Sequence, residues 1–339
     1  MLMGANQRRP HPGRSRGRVR FGERARLPPR GAAMNVACIG AVHIDAKARL
    51  LGETHPGTSN PARVVRTAGG VAGNVARNLG RLGVPVSLYS MIGNDAEGRS
   101  LLGELHAAGV DTSGVLRSSG PPTAVYLAIL DREGRLIVAA AGMEVYEGLD
   151  AAWADRVGGV LRRFDAWVVD ANLPGPTIAR LLGYAGEALV VADPVSVPKA
   201  RRLEPILHRL DVVFPDRGEA VMLSGLPSGS EPSVAAVAAA IRRRGVRTVV
   251  VSLGSKGAYL EDAAGGRQVP PPPSRAVVDA TGAGDAQIAG YVYGLSRPAG
   301  GPHPLEWGMA AAGLTVETID SVRVDLTPAL LRRRLEESR

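Results

Sequence analysis

From Met34 onward the chain alternates short apolar runs of β type with longer stretches of helical periodicity, and that alternation restricts the fold more than any other feature. Asn35-Val-Ala-Cys-Ile-Gly40 opens the pattern as a run ending in glycine, the signature of a strand buried on both faces. Further strands are expected at 86–91, 166–170, 188–192, 211–214 and 247–252. Helices are expected between them at 71–83, 95–108, 150–162, 175–185, 216–224 and 233–244. Strands joined through crossover helices pair in parallel, so the pattern predicts an α/β body with helices on both faces of an open, mainly parallel sheet. Two stretches break the rhythm. Residues 46–68 alternate polar and apolar around a turn from His55 to Pro61, and 122–140 reads as a hairpin, Thr123–Leu130 and Leu136–Ala140, joined by Asp131-Arg-Glu-Gly134. Tight turns impose antiparallel pairing. These segments are expected to form a small inserted sheet beside the C-terminal ends of the parallel strands, where open α/β sheets bind ligands and where it can act as a lid. The Pro270-Pro-Pro-Pro273 run reads as a stiff connector.

Composition narrows the function classes. The 339 residues include a single cysteine, Cys38, which excludes a disulfide framework and a CxxC zinc or redox site. No uninterrupted apolar run reaches the ~18 residues of a membrane-spanning helix, so a soluble, cytoplasmic chain with no membrane partner is expected. The formal charge of +9 invites a nucleic-acid reading, but its distribution argues against one. Residues 1–33 carry nine arginines and one acid, Glu23, leaving the remainder of the chain nearly neutral. This Arg-, Gly- and Pro-rich segment lacks periodicity and is expected to be a disordered tail, with 34–339 forming one domain. It fits a dispensable extension, a polyanion-binding arm or a targeting leader.

The strongest chemical signal is Val277-Val-Asp-Ala-Thr-Gly-Ala-Gly-Asp-Ala-Gln-Ile-Ala-Gly290. A strand is expected to end near Asp279, followed by a turn of small residues and an amphipathic helix from about Gly284. Gly282 and Gly284, flanking Ala283, let backbone N–H groups approach an anion, and the helix start adds positive partial charge. Such a turn can hold charge developing on a transferred phosphoryl group. Asp285 at its edge can serve as general base toward an incoming hydroxyl. Taken alone, the same tetrapeptide also fits an aspartate that only caps a helix. No GxxxxGK[ST] occurs, which excludes Walker A chemistry.

Gly282-Ala-Gly-Asp285 and Ala68-Gly-Gly-Val-Ala-Gly-Asn-Val-Ala-Arg-Asn-Leu-Gly-Arg-Leu-Gly83 resemble the C-terminal and N-terminal signatures of the ribokinase-like (PfkB) carbohydrate kinases. The motifs stand in matching order, and the resemblance runs from about Met34 to the C-terminus. It implies a ribokinase-like three-layer α/β sandwich with an inserted β-sheet lid, and an ATP- and Mg²⁺-dependent phosphotransferase acting on an alcohol group. It makes Asp285 the catalytic base, the Gly282-Ala283-Gly284 backbone the anion hole, and Asp279 a ligand of an activating monovalent cation such as K⁺. In Val250-Val-Ser-Leu-Gly-Ser-Lys-Gly-Ala-Tyr-Leu260 it assigns Ser252, Gly254 and Gly257 to the nucleotide, although the spacing alone reads as a hairpin. Lys256 fits either added charge or a solvated turn. Phe214-Pro-Asp-Arg-Gly-Glu219 resembles the family's Asn-x-x-Glu element, which implies that Glu219 organises Mg²⁺ through water. Asp216, on the nucleotide side, stands there in place of Asn, and Ala280 departs from the preferred Pro, Ser, Thr or Val.

Asp45, in Gly40-Ala-Val-His-Ile-Asp45, is expected just past the first strand, where a carboxylate can accept hydrogen bonds from adjacent sugar hydroxyls. Gly69, Gly70 and Asn74 would complete a polyol cradle at the start of the first helix. A turn or cap role for Asp45 and a surface position for Asn74 fit the residues alone equally well, and His43 reads as a structural hydrogen-bonder. Thr58-Ser-Asn-Pro61, Val169-Asp-Ala-Asn-Leu173 and Ala192-Asp-Pro-Val-Ser-Val-Pro-Lys199 are similar to the pseudouridine kinase branch of the family. That similarity implies the 5′-hydroxyl of pseudouridine as acceptor, with Asp170 and Asn172 bordering the pocket and Lys199 on its substrate side. Gly73, where the branch often has Arg, and Gly142-Met-Glu144, in place of an Asp-Met-Asn/Asp element, depart from it. Two other readings stay open: a ribose, ribonucleoside or other sugar kinase, and a non-catalytic nucleic-acid-binding protein using the Arg-rich segment. Intact Asp285, Glu219 and both glycine signatures argue against the second. Homodimers formed through the lid occur in the family, and the sequence itself does not show one.

Overall fold

The computed structural model describes residues 34–227, 231–271 and 276–337; residues 1–33 and the Pro272-Pro273 half of the proline connector lie outside them. In chain order the strands begin with β1 (Val36–Ile39), β2 (His43–Leu50), β3 (Ala62–Gly69), β4 (Val86–Gly93), β5 (Asp111–Ser118), β6 (Val125–Leu130) and β7 (Leu136–Gly142). They continue with β8 (Ala166–Asp170), β9 (Leu189–Asp193), β10 (Val212–Val213), β11 (Thr248–Ser252), β12 (Ala258–Asp262) and β13 (Gly265–Val269). The helices are α1 (Val71–Arg81), α2 (Ala96–Ala107), α3 (Ala151–Leu161), α4 (Gly175–Leu181) and α5 (Val197–Ala200). After them come α6 (Arg217–Ser224), α7 (Val234–Arg243), α8 (Ala283–Leu295), α9 (Pro304–Thr315) and α10 (Pro328–Glu336). Among the described residues, no helix is long and apolar enough to cross a membrane.

The main sheet runs β13-β12-β11-β10-β9-β8-β1-β4-β5, parallel from β11 to β5, with β12 and β13 closing one edge antiparallel. The period of two within each strand divides the core between the faces. Val36 and Cys38 of β1 pack with residues of α1, α8 and α9, whereas Ala37 and Ile39 pack with those of α3 and α4. Each fully buried aliphatic side chain in these layers contributes ~1.5–3 kcal/mol. Strand order reverses around β1, which lies between β4 and β8, and such a reversal opens a crevice at the C-terminal strand ends.

The small sheet has the order β3-β2-β6-β7. Each hairpin is antiparallel as expected, but the two hairpins join through a parallel β2–β6 pairing in which Asp45 lies opposite Tyr126 and Lys47 opposite Ala128. Asp45 therefore sits inside a strand rather than in a loop after β1. Two edge strands, β5 and β13, escape the sequence pattern because most of their residues are exposed or half-buried and form no apolar run.

Two local expectations need correction. Among the described residues no strand leads to Asp279; Val277 and Val278 are exposed, and Val278 N–H donates to the Val316 carbonyl at 2.7 Å, so the end of α9 shapes this approach. Helix α8 is not amphipathic. Every residue from Ala286 to Leu295 is buried, because the helix packs against both α1 and α9.

Candidate active site

A cleft of about 1020 Å³ opens between the small sheet and the C-terminal ends of the main sheet. Alternation along β2 turns His43, Asp45, Lys47 and Arg49 into it. His43 Nε2 lies 3.1 Å from Asp45 Oδ1 and so orients the carboxylate. Gly69, opposite on β3, makes room for that carboxylate: a Cβ there would lie 2.2 Å from Asp45 Oδ2. Gly70 precedes α1 as its N-terminal cap residue, at the cleft wall.

Asn74, one turn into α1, donates from Nδ2 to Asp285 Oδ2 at 2.7 Å. Its Oδ1 accepts from Arg77 Nη2 at 2.6 Å, and Arg77 also donates to the Ala68 carbonyl at 2.8 Å and pairs with Glu104 at 3.0 Å. Arg77 thereby fixes which end of the Asn74 amide faces Asp285. The two glycine signatures, far apart in sequence, meet in this chain of hydrogen bonds.

Gly282 caps α8 with φ 80°, and a Cβ on it would lie 2.0 Å from the Ser321 carbonyl oxygen, so only glycine fits this turn. Ala283 donates its N–H to the Ala280 carbonyl at 3.2 Å, whereas Gly284 is exposed. Asp285 is the third residue of α8 and makes no capping bond, so its carboxylate serves the cleft rather than the helix end. Burial pushes its pKa up to about 7; the charges of Asp170 and Asp45 add to the rise, while the Asn74 hydrogen bond and Arg77 oppose it.

Lys47 reaches from the small sheet to the same turn. Its Nζ lies 2.8 Å from Asp279 Oδ2 and 2.7 Å from Thr281 Oγ1. Asp279, which the sequence resemblance gives to a monovalent cation, is thus met by a side-chain cation. Burial works against its charge, but hydrogen bonds from Lys47 and Thr281 outweigh that and hold its pKa below the ordinary range.

On the opposite wall, Lys199 Nζ donates to Asn172 Oδ1 at 2.6 Å, and both residues line the cleft. Burial lowers the Lys199 pKa, opposed by the Asp170 charge. Asn172 Nδ2 is buried and makes no hydrogen bond within the protein. Asp170 does not border the pocket as expected. It is 0% exposed: one oxygen accepts from Ala41 N and Ala72 N at 2.8 and 3.0 Å, the other from Asn172 N at 2.9 Å. A carboxylate at the end of a central strand here ties the β1–β2 link to the start of α1. Thr58-Ser-Asn-Pro61 closes the tip of the β2–β3 connection, with Asn60 bonded to His55 and Thr58, rather than lining the cleft.

The residues expected on the nucleotide side gather beside α8. Asp216 and Glu219 form a reciprocal cap on α6, Asp216 N to Glu219 Oε2 at 2.8 Å and Glu219 N to Asp216 Oδ1 at 2.7 Å, so Asp in place of Asn serves the helix start. Ser252 bridges to Asp216 through the backbone and donates from Oγ to Gln287 Oε1 of α8 at 2.9 Å. Gly254 and Gly257 turn the chain between β11 and β12, with Lys256 exposed between them. Burial, aided by the Asp216 charge, raises the Glu219 pKa to about 7.

Sequence reasoning missed Lys47, Arg77 and Asp193. Lys47 follows Asp45 by two residues, which places both on one strand face. Asp193, at the end of β9, is held well above the ordinary carboxylate range by burial and by the charges of Asp285 and Glu219. Its charge couples to Asp285 of the cleft and to Glu219 of the α6 cap. The Asp193-Pro194 strand end leads to Val195, a β-branched residue at φ 67° that lines the cleft, and Val195 N–H donates to Asp193 Oδ1 at 2.6 Å.

An open α/β sheet, a small second sheet and a glycine turn presenting a half-buried aspartate to a polar cleft fit a sugar or nucleoside kinase. The family model for the pfkB family carbohydrate kinases matches residues 33–325, and the chain belongs to that family, whose members transfer a phosphoryl group to a hydroxyl. It is 33% identical over 255 residues to the pseudouridine kinase of Escherichia coli, covering 75% of this chain and 82% of that protein. Among solved structures it is similar to a carbohydrate kinase from Agrobacterium tumefaciens, with 30% identity, a TM-score of 0.77 and coverage of 90% and 98% of the two chains. The fold also matches the ribokinase of Arabidopsis thaliana complexed with ribose and ATP, at 22% identity and a TM-score of 0.79, over 90% and 99% of the chains.

Proposed function

We propose that the protein transfers the γ-phosphoryl group of ATP to the 5′-hydroxyl of pseudouridine, using residues 34–339 as one kinase domain with lid segments near 46–68 and 122–140. The observation that carries this reading is the convergence of Asp45, Asn74 and Asp285 on one cleft whose far wall holds the Asn172–Lys199 pair. The 33% identity to a pseudouridine kinase supports the choice of acceptor.

Asp45, oriented by His43, accepts hydrogen bonds from the ribosyl hydroxyls. Asn172 Nδ2 and the Lys199 ammonium offer donors to the carbonyl oxygens of the base. Asp285, held by Asn74 and with its pKa at about 7, takes the proton of the attacking hydroxyl near neutral pH. The Gly282–Gly284 turn and the start of α8 stabilise charge on the phosphoryl oxygens in line with the attack. A small sheet closing over the cleft excludes water and so limits ATP hydrolysis.

Among the described residues no group of three or more His, Cys, Asp or Glu side chains is arranged to hold a metal ion. Mg²⁺ typically keeps several waters and binds substrate phosphates with one or two carboxylates, and the buried Glu219 beside Asp216 fits that use through water. When bound, the ion neutralises phosphate charge.

A coupled ADP-release assay comparing pseudouridine, uridine and ribose tests the acceptor. Pseudouridine is expected to give a kcat/KM at least ~10²-fold above ribose, since the ribose lacks every base contact. Turnover of ribose without turnover of pseudouridine would move the protein to another branch of the family.

A further inference from the structure

We propose that the Lys47 ammonium is a built-in monovalent cation for the phosphate-binding turn, so that phosphoryl transfer by this protein proceeds without K⁺. The inference rests on the reading of Gly282–Gly284 as the phosphate site and is independent of which acceptor binds.

The geometry around Asp279 engages both oxygens of its carboxylate. Oδ1 accepts both the N–H and the hydroxyl of Thr281, at 2.8 and 2.7 Å, and Oδ2 accepts from Lys47 Nζ at 2.8 Å. Thr281 Oγ1 in turn accepts from Lys47 Nζ at 2.7 Å, so the hydroxyl is oriented by donating to one partner and accepting from the other. A metal cation bound to the side-chain oxygens of Asp279 and Thr281 would meet an ammonium that already holds two of them, with its positive charge against that of the ion. A separate monovalent ion therefore does not fit the site as it stands.

The position of Lys47 is set by structure rather than by reach alone. It occupies an inner strand of the small sheet, paired with Val65 on one side and Ala128 on the other, and shares its cleft-facing side with Asp45. The lysine is also chemically conspicuous in a chain whose 41 basic residues include only three lysines, at 47, 199 and 256. Asp279 lies three residues before Gly282, and an uncompensated carboxylate there would oppose the phosphoryl charge that the turn has to hold. Lys47 removes that opposition with a charge that cannot diffuse away. Because it arrives on β2, neutralisation is also tied to the seating of the small sheet.

The test compares K⁺ with tetramethylammonium at fixed ionic strength, using Mg²⁺-ATP and pseudouridine. Wild-type kcat/KM is expected to agree within about twofold between the two salts, and Lys47→Met to fall on the order of 10²-fold in tetramethylammonium and recover largely in K⁺. A second measurement needs neither nucleotide nor acceptor: K⁺ is expected to raise the melting temperature of Lys47→Met and not that of the wild type. Activation of the wild type by K⁺ of tenfold or more overturns the proposal whatever the variant does. So does a Lys47→Met protein that stays fully active in tetramethylammonium, or one whose activity and melting both ignore K⁺. If pseudouridine is not phosphorylated under any condition, the acceptor assignment fails, while the melting comparison still decides the role of Lys47.

Discussion

Asp285 shows what a single side chain's surroundings decide. Its place in Gly282-Ala-Gly-Asp285 is legible in the sequence, but its chemistry depends on Asn74, Arg77 and burial, which no local motif displays. Asp285→Asn is expected to lower kcat about 10³-fold with little change in substrate KM, measured by ADP release. In the wild type, kcat/KM should rise with pH through about 7, as the base loses its proton. The same shift acts on stability with the opposite sense. Between the ordinary value of 3.8 and about 7 the folded protein holds a proton that the unfolded chain has released, so stability falls as pH rises through that window. Asp285→Asn should consequently melt higher than the wild type at pH 8, with the gap closing toward pH 4. Arg77 lowers the Asp285 pKa by its charge and holds the Asn74 amide. Arg77→Met is expected to move the pH–rate profile to higher pH and cost about tenfold in kcat, whereas a purely structural role would leave the midpoint in place.

At the level of elements, the legible and the hidden parts separate by what periodicity encodes. The alternation of β2 places His43, Asp45 and Lys47 on one face, so the cleft side of the small sheet could be read once the strand was known to start at His43. Periodicity does not say which elements join, and the parallel β2–β6 pairing comes from the packing of two hairpins distant in sequence. Nor does it say where a strand-end carboxylate points: Asp170 and Asp45 both follow apolar runs, yet one is sealed beneath the cleft and the other lines it. Gly69 makes the strand-to-strand fit testable. Its replacement by Ala puts a methyl 2.2 Å from Asp45 Oδ2, and the carboxylate must shift. Acceptor kcat/KM should drop on the order of 10²-fold while the KM for ATP stays near the wild-type value, because the residues proposed to hold the nucleotide stand on α6, β11 and α8. The α6 cap predicts a different outcome: Asp216→Ala should cost about 1 kcal/mol in denaturant unfolding, and Asp216→Asn should keep most of that, since either side chain can accept from Glu219 N.

For the molecule as a whole, the sheet order was legible only as a class. Apolar strands alternating with helices imply a parallel body, but the edge strands β5 and β13 and the buried run Ala286–Leu295 of α8 are settled by what packs on them. Charge divides along the chain in the same way. The described site residues all lie after Met34, the family match begins at residue 33, and the basic excess is concentrated in residues 1–33. The cleft uses its charges singly, each paired with a stated partner: Lys47 with Asp279, Lys199 with Asn172, Asp285 with Asn74. None of these pairs draws on the net charge of the chain. A protein beginning at Met34 should therefore keep kcat/KM within about twofold of the full chain and melt at a similar temperature. Any affinity of the full chain for a polyanion such as heparin should be lost with residues 1–33, and in the full chain it should weaken steeply with salt, as the release of counterions requires. Loss of turnover in the shortened protein, with its melting unchanged, would place a functional contact between residues 1–33 and the cleft.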